Sequence, residues 1–219
     1  MKKLITMLLV CITTLAMATT AFANDSPVVS SNYDFSVQEV VDEINEKYNV
    51  GLTFTEMPQT RTTTLKLTRE EFKKRLEKLV CEAAKQSEDA RAMFKERTGR
   101  DAFSKKNVES VALEEDATVY AATKNYSKTK TFDSVAKVTL KGKVTTDSYT
   151  WFSSITSCTG GSVYNVINRF DVVDTDYELI DNRRTCAIVA DVLVTYADAE
   201  LGGNGSYHKD HYGEFYATE

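Results

Sequence analysis

The sequence predicts an α+β protein: a helical N-terminal half with two short strands, and an antiparallel β-sandwich or barrel-like C-terminal half. Two periodicities predict this division. Apolar residues recur at helical spacing between residues 37 and 98, whereas most segments after residue 117 alternate apolar and polar side chains. An acidic polar stretch separates the two patterns. We therefore expect a helical α+β region at 24–112 and an antiparallel β domain at 113–219, after a leader at 1–23.

The first 23 residues have the pattern of a secretory signal peptide. Lys2 and Lys3 form a basic start, an apolar run follows, and small residues occupy the cleavage positions in Ala21–Ala23. The run is shorter than the roughly 20 residues that a membrane-spanning helix needs, which favours cleavage before Asn24 over a retained anchor. We expect a secreted, extracellular protein of bacterial type, with no stable membrane insertion after cleavage.

The N-terminal half contains two predicted helices. The first spans about 37–48 and follows Ser36, which has a glutamate three residues further on, as in a capping box. The second is long, about 69–98, with the same signal at Thr68 and a suitable left-handed C-cap at Gly99. Its apolar residues fall on one stripe, which predicts a buried face: Phe72, Leu76, Leu79, Val80, Ala83, Ala90 and Phe94.

Strands are predicted on both sides of the boundary. In the N-terminal half, 51–55 and 61–67 surround a turn at Pro58 and could pair with each other. In 137–144 a clean alternation places three lysines on the water-facing side of an antiparallel strand, and 184–197 is apolar on both faces, as in a central strand. Seven strands are predicted in the C-terminal half: 117–123, 137–144, 149–156, 162–172, 176–181, 184–197 and 212–217.

Charge and motifs disfavour several function classes. Removing the two leader lysines leaves 25 basic and 32 acidic residues, a net charge of −7, so nucleic acid is disfavoured as a partner. No motif predicts an organic cofactor or a specific catalytic set. The sequence therefore favours an extracellular, non-catalytic binding or interaction module, with a protein or glycan as its partner.

The mature cysteines are interpreted through the oxidising compartment. Cys158 and Cys186 both fall in the β-rich half, which predicts a disulfide between them. Cys81 is then unpaired on the polar face of the long helix. It is either an inert thiol or an intermolecular one, which gives an alternative function as a disulfide-linked surface or structural protein.

The two histidines give a second alternative. His208 and His211 follow a glycine-rich stretch and lie close to Asp210 and Glu214. Imidazole and carboxylate are suitable zinc ligands, so His208, His211 and Glu214 form a candidate metal site of a metal-dependent hydrolase. The competing interpretation is a solvated polar hairpin, because the spacing matches no zinc-protease signature.

Aromatic residues provide a candidate ligand platform. Tyr149 and Trp151 lie near each other in a predicted strand, and rigid amphipathic rings of this kind stack on sugars or peptides. The competing interpretation is that such rings fill the core.

Overall fold

The structure is a computed structural model that describes residues 33–57, 67–104 and 121–219. The predicted leader and the predicted boundary at 112/113 lie outside these residues. Among the described residues, no helix combines the length and the apolar character needed to cross a membrane. The helices and strands follow in the order α1 (Val37–Tyr48), β1 (Thr53–Glu56), α2 (Arg69–Thr98), β2 (Ala122–Phe132), β3 (Ala136–Thr146), β4 (Thr150–Tyr164), β5 (Asn168–Ile180), β6 (Thr185–Asp198) and β7 (Gly203–Tyr216).

Both predicted helices form with the predicted limits. The Ser36 side chain caps the start of α1, and Thr68 forms a complete capping box at the start of α2. Asn49 (φ 51°) and Gly99 (φ 76°) adopt the left-handed conformation that ends each helix. The predicted stripe of α2 is buried apart from Leu79, which is half-buried.

The strands form one antiparallel sheet in the order β1-β7-β6-β5-β4-β3-β2. β1 pairs with Gly203–Ser206 of β7. Its predicted partner at 61–67 lies almost wholly outside the described residues. Because all described strands belong to a single sheet, the sandwich is not the arrangement observed, and the barrel-like expectation describes the fold better.

Several strand limits differ from the prediction. β2 (Ala122–Phe132) shares only two residues with the strand predicted at 117–123, and β7 (Gly203–Tyr216) begins nine residues before the one predicted at 212–217. Two further differences lie between residues 162 and 176. The strand predicted at 162–172 is interrupted, because the Asn165 side chain accepts hydrogen bonds from the backbone N–H groups of Ile167 and Asn168 and forms a turn there. The break predicted before 176 is instead a register shift between Val172 and Asp174, inside continuous β5. β4 and β5 therefore form a hairpin, in which Ser162–Tyr164 pair with Arg169–Asp171 beside the turn.

The sheet curls into a half-barrel whose two ends approach across the core. Phe132 of β2 meets Phe215 of β7 with ring centroids 5.7 Å apart. Gly213 allows this approach, because a Cβ atom there would lie 2.2 Å from the Phe132 ring. Alternate residues of the curled strands fill the interior, including Val138, Leu140, Phe152, Ile188, Ala190, Val192 and Val194.

Helix α2 covers the opposite face of the sheet. Phe94 is fully buried against Ala187 and Val189, which alternate with the half-barrel core residues of β6. Just beyond the helix, Arg100 donates two hydrogen bonds to the Asp176 carboxylate, at 2.7 and 2.8 Å. Asp176 is only 2% exposed, so this pair joins the end of α2 to the middle of β5.

The buried pair gives a stability prediction. Replacing Arg100 by leucine leaves the Asp176 carboxylate buried without its guanidinium, which should cost about 3 to 5 kcal/mol of unfolding free energy. Urea denaturation measures this loss. The control is Arg75→Leu, whose partner Glu200 has a side chain 80% exposed, so that variant should lose at most about 1 kcal/mol. Equal losses in the two variants would contradict the assignment.

Candidate functional site

The predicted metal ligands do not converge. His208 and His211 both lie within β7, and their odd spacing directs them to opposite faces of the strand. Glu214 shares the His208 face, but six strand residues separate them by roughly 20 Å. The Glu214 carboxylate instead accepts hydrogen bonds from Arg97, Tyr212 and Tyr216. In the described part of the chain, no three metal-ligating side chains gather, so the structure does not bring the three candidate ligands together.

The glycines that suggested a loop have a different role. Gly203 and Gly205 lie inside β7, where β1 and β6 approach closely. A Cβ atom at Gly203 would lie 2.2 Å from the Phe54 ring, and one at Gly205 would lie 2.1 Å from the Thr53 carbonyl oxygen. These glycines permit tight strand packing, so the histidines belong to a regular strand.

His211 points into the half-barrel. It is 3% exposed, and its Nδ1 lies 2.7 Å from the Asp133 carboxylate in the turn between β2 and β3. Its Nε2 is buried without a hydrogen-bond partner among the described residues. Burial lowers the pKa of His211, and the nearby Lys209 charge lowers it further, while Asp133 opposes both. His211 is therefore a structural, neutral imidazole that joins the two ends of the curled sheet.

His208 lies at the floor of a cleft of about 710 Å³. One wall is the turn from α1 to β1, and another is the middle of α2. The floor is the helix-facing side of β6 and β7. The lining residues are Lys47, Tyr48, Asn49, Val50, Gly51, Cys81, Ala84, Lys85, Ser87, Glu88, Arg91, Asp191, His208, Lys209 and Asp210.

An oriented histidine–aspartate pair forms on this floor. His208 Nδ1 lies 2.9 and 3.0 Å from the two carboxylate oxygens of Asp191 on β6. A carboxylate only accepts, so Nδ1 carries the proton and Nε2 of the neutral ring is left as an acceptor. The His208 backbone N–H also donates to the Val50 carbonyl oxygen at 2.7 Å. This bond fixes the α1–β1 turn, and Gly51 lies against the imidazole ring.

An ion pair between exposed Arg91 and buried Asp210 holds the helical wall in place. The Arg91 Nε donates to the Asp210 carboxylate at 2.5 Å, and the Ser87 hydroxyl accepts from the Asp210 backbone N–H at 2.8 Å. Asp210 is 3% exposed, and burial raises its pKa while Arg91 opposes that rise. Both contacts join α2 to β7 beside His208.

The cysteines occupy three different environments and are free thiols. Cys81 is exposed at the cleft, whereas Cys158 is half-buried on β4 and Cys186 is buried on β6. The latter two strands are separated by β5, which places their backbones roughly 10 Å apart in a flat sheet, beyond the usual Cα spacing of a disulfide. The predicted Cys158–Cys186 bond is not seen in the structure. An intermolecular bond through Cys81 stays a prediction.

The predicted aromatic platform lies away from the cleft, at the β3–β4 turn. Tyr149 is 42% exposed, and the Arg184 guanidinium lies 4.5 Å from its ring centroid. Trp151 is half-buried, with the Arg183 guanidinium 5.7 Å from its ring centroid. These rings do not lie in the core clusters, and one arginine lies over each of them. The ligand platform stays a prediction.

Sequence reasoning missed most of the cleft. No sequence pattern singles out three of its charged residues as site residues, because each is an ordinary charged residue in its own segment: Lys85, Arg91 and Asp191. Only strand pairing shows that Asp191 neighbours His208, through the register of β6 with β7. The alternation of β7 was the signal that could have separated His208 from His211.

A pH dependence follows from buried His211. Lowering the pH below about 6.5, the ordinary pKa of the imidazole, should reduce the free energy of unfolding. At a pH between this value and the lowered pKa of the folded state, the His211 imidazole is protonated in the unfolded chain but neutral in the folded chain. Lowering the pH through this range therefore favours unfolding. Urea denaturation from pH ~7.5 to ~5 measures this effect. His211→Asn, whose amide can still reach Asp133, should show a shallower dependence; an unchanged dependence would refute the assignment.

Thiol accessibility gives a second prediction. Iodoacetamide added to the native protein should modify Cys81 well before the other cysteines, because Cys81 is exposed. Burial raises the pKa of Cys158 to about 11 and raises that of Cys186 as well, so little thiolate is available at either site. Mass spectrometry of peptides digested without reduction measures the order. A linked Cys158–Cys186 peptide would contradict the free-thiol assignment.

Comparison with protein-family models, with curated proteins and with solved structures finds no match to this chain. A ligand or an activity therefore cannot be inferred from a relative. It has to be argued from the geometry and the charge of the cleft itself.

Proposed function

We propose that the chain is an exported, non-catalytic binding module that holds a short peptide in the cleft beside His208. The observation that carries the proposal is the meeting of the His208–Asp191 pair with charged side chains of both signs in a cleft of about 710 Å³. Ligand sites are commonly concave spaces of about 300 to 1,000 Å³ with a few convergent polar groups. Export is supported by the leader pattern at 1–23.

The charges favour a zwitterionic ligand. Lys85 and Glu88 lie on adjacent turns of α2 and are both exposed. Neither forms an ion pair with a described residue. A peptide supplies a carboxylate for Lys85, an ammonium group for Glu88 and an amide N–H for Nε2 of His208. A short peptide therefore matches all three groups at once.

A saccharide fits this cleft less well. Sugar sites generally use exposed aromatic rings for stacking, and the aromatic residue of the lining is Tyr48. The Lys47 ammonium already lies 4.8 Å from the centroid of that ring. The geometry supports the hydrolase alternative less than a peptide site, because His208 and His211 lie on opposite faces of β7.

The test combines affinity with protection of Cys81. Mixed dipeptides and tripeptides, and separately neutral mono- and disaccharides, are screened by thermal shift and then by calorimetry. Peptides should bind, and a bound peptide should slow the alkylation of Cys81 because this thiol lines the cleft. Lys85→Ala should weaken binding about tenfold, since a hydrogen bond to a charged group contributes about 1.5 to 3 kcal/mol.

The matched control is Lys74→Ala. Lys74 is an exposed lysine of the same helix, eleven residues before Lys85 and roughly 16 Å away along the axis. This variant should bind like the wild type. Binding of saccharides but not peptides would overturn the ligand class. Peptide binding without protection of Cys81 would overturn the site.

A further inference from the structure

A separate surface carries a second inference. Strand β3 alternates buried core residues with Lys137, Thr139, Lys141 and Lys143 on the opposite face, where all three lysines are exposed. We call this face of β2, β3 and β4 the lysine face. Helix α2 packs against β5, β6 and β7, so it does not cover these three strands.

Strand register shows what surrounds the lysines. Residues directly opposite each other in antiparallel strands share a face, so the neighbours follow from the pairing. None of them is acidic. On β2 they are Thr123, Asn125, Ser127, Thr129 and Thr131, and on β4 they are Trp151, Ser154, Ser157, Thr159 and Gly161.

The lysines have no counterions within the described part of the protein. Lys137, Lys141 and Lys143 form no ion pair with a described residue. On α2, by comparison, Lys73, Arg91, Lys95 and Arg97 are paired with carboxylates, while Lys74, Lys78 and Lys85 are likewise unpaired among the described residues. The aliphatic part of Lys137 lies across Gly161, where an added Cβ atom would be 3.3 Å from the Lys137 Cδ. Its ammonium group is thereby held out toward solvent. The surface is positive although the whole chain has a net charge of −5.

The positive surface continues past the lysines. Thr145 of β3 is opposite Trp151 of β4, and the Arg183 guanidinium lies over the Trp151 ring. Arg183 forms no ion pair with a described residue either. Along β3 itself, the lysines are about 13 Å and about 7 Å apart. The cations therefore form a row rather than a single pocket.

We propose that the lysine face binds a linear, flexible polymer that carries phosphate groups along its backbone. A row of free ammonium groups complements repeated negative charge, and the Ser and Thr hydroxyls between them donate hydrogen bonds to phosphate oxygens. Single-stranded nucleic acid is less suited, because its bases stack on successive aromatic rings, and Trp151 is the one aromatic residue among the neighbours of the lysines on β2 and β4. This binding goes beyond the peptide cleft and is independent of it.

The experiment uses long-chain inorganic polyphosphate as the probe and the double variant Lys141→Gln/Lys143→Gln. The wild type should bind polyphosphate with an affinity that falls as salt rises. The double variant should bind about tenfold more weakly at low salt. Its slope of log K against log salt should be smaller by about 1.4 to 1.8, because each phosphate that is no longer neutralised lowers the slope by about 0.7 to 0.9.

The matched control removes two lysines elsewhere. Lys74→Gln/Lys78→Gln changes the net charge by the same amount on α2, where both lysines are exposed, and it should bind like the wild type. Equal weakening in the two double variants would overturn the proposal in favour of a general charge effect. Tighter binding of single- or double-stranded DNA than of polyphosphate would overturn the partner class, and absence of polyphosphate binding at low salt would overturn the surface. Thermal melting verifies that both variants are folded.

Discussion

The two-sided packing of β7 is the constraint on which the rest of the structure depends. One face of this strand enters the half-barrel core through His211 and Phe215, and the other contacts α2 through Asp210 and Tyr212. β7 is also paired on both edges, with β1 and with β6. A shift of one residue in its register would exchange every side chain between core and helix face. The burial of the Asp210 carboxylate, which Arg91 pairs with from the helix, penalises such a shift further.

The cleft is a consequence of this packing. Ser87 and Arg91 bind Asp210 and so fix the middle of α2 over β7, while the bond from His208 to Val50 fixes the α1–β1 turn. Between these two attachments a cleft is left, and the His208–Asp191 pair lies at its floor. The same contacts that stabilise the fold therefore set the orientation of the imidazole. The site is therefore already formed before a ligand binds, so binding costs little conformational entropy of the backbone around it.

Local sequence signals predicted what depends on local structure. The caps at Ser36, Thr68 and Gly99 determined both helices, because capping is decided within four residues. The alternation around Lys141 likewise identified the solvent side of β3, since side-chain direction in a strand has a period of two.

Properties that depend on distant residues were not predictable in this way. The pairing of β1 with β7 joins segments about 150 residues apart, and no local pattern specifies it. The positive charge of the lysine face could not be predicted for the same reason. The net charge of the chain also includes the acidic residues elsewhere and so gives no sign of a local positive surface. The placement of the two histidines is a different case. The alternation of β7 is present in the sequence, but the glycines before the histidines also indicate a loop, whereas in the structure they permit close strand contacts.

The geometry of one helix on a wide sheet explains why part of the sheet must be polar. A helix is about 10 Å across and neighbouring strands are about 4.8 Å apart, so α2 alone covers two or three strands. The face of β2, β3 and β4 is therefore left to water, and Ser, Thr and Asn are sufficient to solvate it. Contact with water does not require that all charged side chains of this face have the same sign. Lysines on an edge strand also discourage edge-to-edge aggregation, but β3 is paired on both sides and has no free edge. The polarity of this face thus follows from the fold, whereas the lack of an acidic residue directly opposite Lys137, Lys141 and Lys143 on β2 and β4 does not. The anionic partner proposed above would explain this feature.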